Sequence, residues 1–223
     1  MSAHCSESLR AAAGRAMPAL VVAGLLTMPA LAGTAGGAPA SQSSVDAKIS
    51  YCQDCHGLSG QGYHGFYSIP RLAGQQPDYI KNQLQAFIEH RRTNNIMFNV
   101  AHGLQPSMID ALANRFSKLN PRPLDGGSKR QIEAGRKIFE NGMPEANIAA
   151  CAACHGPEAK GSSQIPRLAG QLPDYIVNKL MNWSQERGQQ KSLPDTSLIM
   201  EPVAHSLNRS QAQAIAAYVS SLR

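Results

Sequence analysis

The residues with the clearest chemistry in this chain are Cys52, Cys55 and His56, in the order Cys-x-x-Cys-His, and Cys151, Cys154 and His155, which repeat it. Two thiols at this spacing can add to the two vinyl groups along one porphyrin edge. The adjacent imidazole then lies under the ring as a ligand to iron. The pattern is the attachment signature of c-type haem, and its two copies predict two covalently attached haem c groups. Other uses of paired cysteines fit less well. A zinc site wants four ligands, whereas each motif offers three with no fourth nearby. A thioredoxin-like redox pair needs a strand–helix–strand setting, and no stretch shows strand alternation. Plain disulfides would not require His-Gly after each pair.

An iron held by His56 or His155 needs a further axial ligand, and an internal repeat supplies candidates. Ile69-Pro70-Arg71-Leu72-Ala73-Gly74-Gln75 recurs as Ile165–Gln171, and Pro77-Asp78-Tyr79-Ile80 as Pro173–Ile176, both at an offset of 96. The haem motifs are offset by 99, and Ile96-Met97-x-x-Val100-Ala101-His102 recurs 103 residues on as Ile199-Met200-x-x-Val203-Ala204-His205. Shared landmarks with insertions only between them mark a duplicated domain. Met97 and Met200 are the methionines that pair across the repeat. A thioether opposite imidazole raises the reduction potential and suits electron transfer. His102 and His205 pair as well and are the alternative, giving bis-histidine iron of lower potential. Pro70 and Pro166 follow the haem motifs. A proline carbonyl can accept from the other imidazole nitrogen without a competing N–H, fixing the ring. Arg71 and Arg167 are candidates to pair with haem propionates, with plain loop arginines as the alternative.

These residues need elements to position them, and the pattern reads as all-α. Pro77-Asp78 opens a helix, proline suiting its first turn and aspartate its positive end. Ile80, Leu84, Phe87 and Ile88 then share one face, matched by Ile176, Leu180 and Trp183. Ser107 and Ser210 suggest N-caps for the last helix of each half. Gln131 to Asn141 reads as the opening helix of the second half. Residues 45–120 form one expected domain, the Pro/Gly-rich stretch 121–127 a linker, and 128–223 a second domain. Aromatic residues are 5% of the chain, and domains of roughly 80–95 residues bury little surface, so a haem plate would complete each core.

Residues 1–32 read as an export signal: Arg10 and Arg15 precede an apolar run, with cleavage near Ala32 or Ala40 and a small-residue tail to about Ser44. Pro18 and Pro29 argue against an uncleaved anchor. The net charge of +6 falls by one when Arg10, Arg15 and Glu7 leave with the leader. With no Lys/Arg run longer than two, it suits acidic partner surfaces or anionic headgroups, not nucleic acid. No nucleophile triad, phosphate loop or dinucleotide fingerprint appears, so no catalytic residue or small-molecule substrate is expected.

In combination these residues resemble the di-haem cytochromes c4. The match spans both halves, about 175 residues. It rests on Cys-x-x-Cys-His-Gly, the Pro-x-Leu-Ala-Gly-Gln element with its Tyr-initiated helix, and Met-x-x-Val-Ala ahead of the last helix. The resemblance implies two tandem class I cytochrome c domains related by a pseudo-twofold axis, with propionate edges facing across the interface. It also implies a periplasmic, sometimes membrane-associated carrier. Its partners would be redox proteins such as a bc1-type complex and a terminal cytochrome oxidase. One departure stands out. The last helix of such a domain usually places an aromatic on a small residue of the first helix. Tyr218 opposite Gly135 fits, but the aligned residue in the first half is Arg115, with Phe116 beside it. The first domain is therefore expected to be the less stable. Two other functions are weighed: a cytochrome subunit of a dehydrogenase, such as a sulfide-oxidising flavocytochrome, and a di-haem peroxidase. The latter needs an open iron, which two equivalent methionines argue against.

Overall fold

The first helix of the computed structural model, α1 (Gln42–His56), is capped by Ser41, whose side chain accepts from the Ser44 N–H. It therefore starts inside the stretch read as tail and runs unbroken through the first haem motif. The structure describes residues 40–124, 126–187 and 196–223; the expected leader, and its cleavage near Ala32, lie outside them. α2 (Pro77–Ile88) has Pro77 in its first turn and buries Ile80, Ala86 and Phe87. α3 (Asn95–Ala101) begins where the Asn94 side chain accepts from the Met97 N–H at 2.9 Å. α4 (Pro106–Ser117) closes the first half.

The second half repeats this plan with one interruption. α5 (Lys129–Asn141) stops at Gly142, a 3-10 turn follows at Pro144–Ala146, and the haem motif forms its own short helix, α6 (Cys151–His155). α7 (Pro173–Met181), α8 (Trp183–Glu186), a 3-10 turn at Thr196–Met200, α9 (Glu201–Ser206) and α10 (Arg209–Ser221) complete it. Among the described residues the β pairings are isolated bridges, such as Tyr63 with Ile69 and Ser162 with Ile165. No helix among them is long and apolar enough to cross a membrane.

Two sequence expectations shift. The last helices begin earlier than Ser107 and Ser210 suggest. Pro106 pre-sets the helical φ, so α4 starts after Gln105. Asn208 and Gln211 form a reciprocal capping box that starts α10 at Arg209. Trp183 does not continue the face of α7, because the chain breaks at Asn182 and Trp183 opens α8.

Each half has its own apolar core: Val45, Ile49, Ile80, Leu112 and Phe116 in the first, Phe139, Ile148, Ile176, Ile215 and Tyr218 in the second. The repeated Arg-Leu-Ala-Gly loop is tied identically in both. The Leu72 and Ala73 N–H groups donate to the Gly60 carbonyl, and Leu168 and Ala169 to that of Ala159. Gly74 N–H donates to the Phe116 carbonyl and Gly170 N–H to that of Val219, each at 2.9 Å. Both glycines sit at φ +72, where a Cβ would press on the Leu119 or Leu222 carbonyl. The loop after each haem motif is thus clamped to the last helix of its own domain.

Candidate haem sites

Three residues apart on α1 and again on α6, the cysteines of each motif lie about one turn from each other. Cys52 and Cys151 are half-buried, Cys55 and Cys154 exposed, and no disulfide joins any of the four. Burial pushes the Cys52 thiol up to about 11, against the opposing pull of Lys48. His56 and His155 end the same helical stretches and are buried. The His56 Nδ1 lies 2.8 Å from the Pro70 carbonyl oxygen and the His155 Nδ1 2.9 Å from that of Pro166. A carbonyl only accepts, so Nδ1 carries the hydrogen and Nε2 is the nitrogen free to bind a metal. Burial lowers the pKa of both rings, partly opposed by the proline carbonyls. The neutral imidazole this favours is the metal-binding form.

Met97 lies in the first turn of α3 and Met200 at the junction of the 3-10 turn and α9; both are half-buried. The rival histidines are exposed and engaged elsewhere. His102 Nδ1 lies 3.1 Å from the Phe98 carbonyl and its ring stacks on Phe98, while His205 Nε2 bonds the Ser184 hydroxyl. Arg71 and Arg167 are not loose loop arginines, being 3% and 8% exposed. Arg71 Nε donates to the Ala73 carbonyl at 2.9 Å and its Nη2 to that of Pro121 at 3.0 Å; Arg167 Nε donates to the Ala169 carbonyl at 2.9 Å.

These residues fit haem. Each site offers a pair of cysteines with no disulfide beside a buried imidazole with one nitrogen unused. Arg71 Nη1 and Arg167 Nη2 are buried donors with no acceptor among the described residues. Burial, Arg167 and Arg223 pull the Arg71 guanidinium down to about 10, which an anionic propionate would relieve. A metal cage of protein ligands alone is not indicated: among the described residues no group of three or more His, Cys, Asp or Glu side chains could hold a metal ion.

The Cytochrome c family model matches the chain twice, over residues 26–121 and 132–223. The chain belongs to the cytochrome c family, in its tandem c4 form. It is similar to cytochrome c-552 of Acidithiobacillus ferridurans, 34% identical over 88% of this chain and 86% of that one. It is also similar to the thiosulfate dehydrogenase electron acceptor of Thiomonas intermedia (strain K12), 32% identical over 82% and 83%. Among solved structures it resembles cytochrome c4 of Acidithiobacillus ferrooxidans, with a TM-score of 0.66 and 33% identity, covering 78% of this chain and 99% of that one. This di-haem cytochrome therefore carries two covalently attached haem c groups, and it is an electron carrier, not an enzyme.

Two further groups of residues in this cytochrome escaped the sequence reading. Gln75 and Gln171 are buried and reach across to the opposite half. The Arg167 N–H donates to Gln75 Oε1 at 2.7 Å while Gln75 Nε2 donates to the Arg167 carbonyl at 3.1 Å. Reciprocally, the Arg71 N–H donates to Gln171 Oε1 at 2.8 Å and Gln171 Nε2 to the Arg71 carbonyl at 3.0 Å. This exchange is the mark of a twofold contact. The repeat contained the signal, since both glutamines recur in it, but nothing in one strand of sequence says which backbone they meet.

The second group is a buried cationic cluster. Arg92 Nη1 donates to Gln83 Oε1 at 2.8 Å and its Nη2 to the Tyr175 hydroxyl at 2.7 Å; Arg187 Nη2 donates to the same Gln83 oxygen at 2.7 Å. Lys179 pairs with Glu186 beside them. No periodic signal could have found it, because the repeat breaks here: the counterpart of Gln83 is Lys179.

Proposed function

We propose that this cytochrome shuttles electrons in the periplasm, from a dehydrogenase or a bc1-type complex towards a terminal oxidase. Bound haem supplies a one-electron ferric–ferrous couple at each site. In this reading Cys52, Cys55, Cys151 and Cys154 would be the thioether attachments, and His56 with Met97 in the first domain and His155 with Met200 in the second would hold the irons. Pro70 and Pro166 orient the imidazoles, and Arg71 and Arg167 face propionates. The observation that carries the reading is the equivalence of the sites. Each has a buried imidazole held through Nδ1 by a proline carbonyl with Nε2 unused, and each has a half-buried methionine while its rival histidine is exposed. Irons with both positions filled by these side chains would suit transfer of electrons rather than turnover of peroxide.

The oxidised holoprotein should show a thioether-to-iron charge-transfer band. The band should halve in Met97→Ala or Met200→Ala and vanish in the double variant. Its survival there, or its loss in His102→Ala with His205→Ala, would place another ligand on iron.

On the donor side, the relative named as an electron acceptor of thiosulfate dehydrogenase favours a sulfur-compound dehydrogenase. Purified oxidised cytochrome should be reduced when mixed with such an enzyme and thiosulfate. Reduction only by a bc1-type complex would leave the dehydrogenase role unsupported. The basic net charge of the chain suits acidic partner faces and peripheral association with anionic headgroups. Export is read from the leader at 1–32, and the mass of the mature chain from periplasmic extract locates its cleavage.

A further inference from the structure

The peptide joining Pro70 to Arg71 is gripped at both ends. Its carbonyl oxygen lies 2.8 Å from His56 Nδ1, and its N–H donates at 2.8 Å to Gln171 Oε1 of the other domain. The Pro166–Arg167 peptide is gripped the same way, by His155 Nδ1 at 2.9 Å and by Gln75 Oε1 at 2.7 Å. We propose that Gln75 and Gln171 are crossed positioning residues, each tuning the proximal histidine of the opposite domain through one shared peptide.

The physical basis is conjugation within the amide. The C–N bond has partial double-bond character, so the group is planar and its two ends are electronically linked. Donation from the N–H polarises the amide and makes its carbonyl oxygen a stronger acceptor. A stronger acceptor at Nδ1 makes the imidazole a more basic iron ligand, which favours the ferric state. Gln171 thereby acts on the first iron and Gln75 on the second, although each belongs to the other domain. The glutamines are built for this. They are 6% and 7% exposed, so little water competes. Each Oε1 also accepts from the next residue, Gln76 N–H at 2.9 Å and Leu172 N–H at 3.0 Å, which fixes the amide with its oxygen facing the shared peptide. Each Nε2 then holds the carbonyl of the same arginine.

The inference rests on the axial role proposed for His56 and His155, and the test separates the two. Gln171→Met and Gln75→Met keep side-chain length and volume while removing the hydrogen bonds. Each is titrated as the holoprotein, with haem-methyl NMR signals assigned to their domain through contacts with its own core. Gln171→Met should raise the potential of the first-domain haem by about tenfold in the one-electron equilibrium constant, about 59 mV, and leave the second in place. Gln75→Met should do the reverse. A shift in the same domain, equal shifts of both haems in either variant, or no shift would overturn the crossing. Loss of the folded holoprotein in both variants would overturn it too, leaving the glutamines a purely structural role. If wild-type protein lacks hyperfine-shifted imidazole signals from His56 and His155, the axial reading fails instead.

Discussion

In the second domain α5 and α10 cross so closely that a Cβ on Gly135 would fall 1.9 Å from the Ala214 carbonyl oxygen and 2.9 Å from Tyr218 Cβ. Tyr218 also tilts against Phe139, ring centres 5.4 Å apart. In the first domain the position of Tyr218 is taken by exposed Arg115, and the ring moves one residue along to Phe116, 1% exposed. Phe116 packs against Gly60 in the turn after the haem motif. The second domain spends its aromatic side chain on the helix crossing. The first spends it on the turn beside the haem and leaves α1 held largely by Val45 and Ile49. The partners of the moved ring have changed size to match. Gly60, at φ +68, becomes Ala159 at φ +53, and Phe116 becomes Val219. A duplicated fold has kept the same landmarks while relocating its main apolar anchor.

The largest test of this contrast is Phe116→Ala, which should cost about 3–5 kcal/mol as a core cavity and lower the melting of the first domain ahead of the second. Domain-resolved haem spectra during thermal denaturation read this; unfolding of both domains together would erase the distinction. Gly135→Ala comes next. Its added methyl meets backbone rather than a flexible side chain, so a loss of about 1–3 kcal/mol is expected, confined to the second domain and measured by denaturant titration. Gly60→Ala should cost about 1–2 kcal/mol from its left-handed backbone and from the Phe116 ring 3.2 Å from the new Cβ. Adding Phe116→Val imitates the second domain and should recover the steric part, so a double-mutant cycle showing strict additivity would contradict the size matching. The smallest contrast lies at the last helices. Asn208→Ala removes a capping box and should cost about 1 kcal/mol, whereas Gln105→Ala, at a cap with no side-chain bond, should change stability little.

The sequence disclosed what repeats and what is local. The all-α plan followed from helical spacing in Ile80, Leu84 and Phe87 and from prolines at helix starts. The two haem attachments followed from five adjacent residues written twice. The last helices start ahead of Ser107 and Ser210, because a proline and a two-residue capping box outweigh a lone serine. Contacts between the halves were out of reach. The fates of Gln75, Gln171 and Arg92 depend on which surface of one domain faces the other, and no spacing within a repeat encodes that. The offset between Tyr218 and Phe116 was visible, but its partner Gly60 was not, since their contact spans 56 residues of chain.

This chain holds two covalent haems, one in each of two equivalent domains. A pyridine haemochrome assay joined to intact mass of the exported protein tests it most directly. It should find two haems per chain, a mass equal to the mature polypeptide plus both groups, and no titratable thiol at Cys52, Cys55, Cys151 or Cys154. A colourless protein, or one haem with the other cysteine pair free or oxidised, would contradict it.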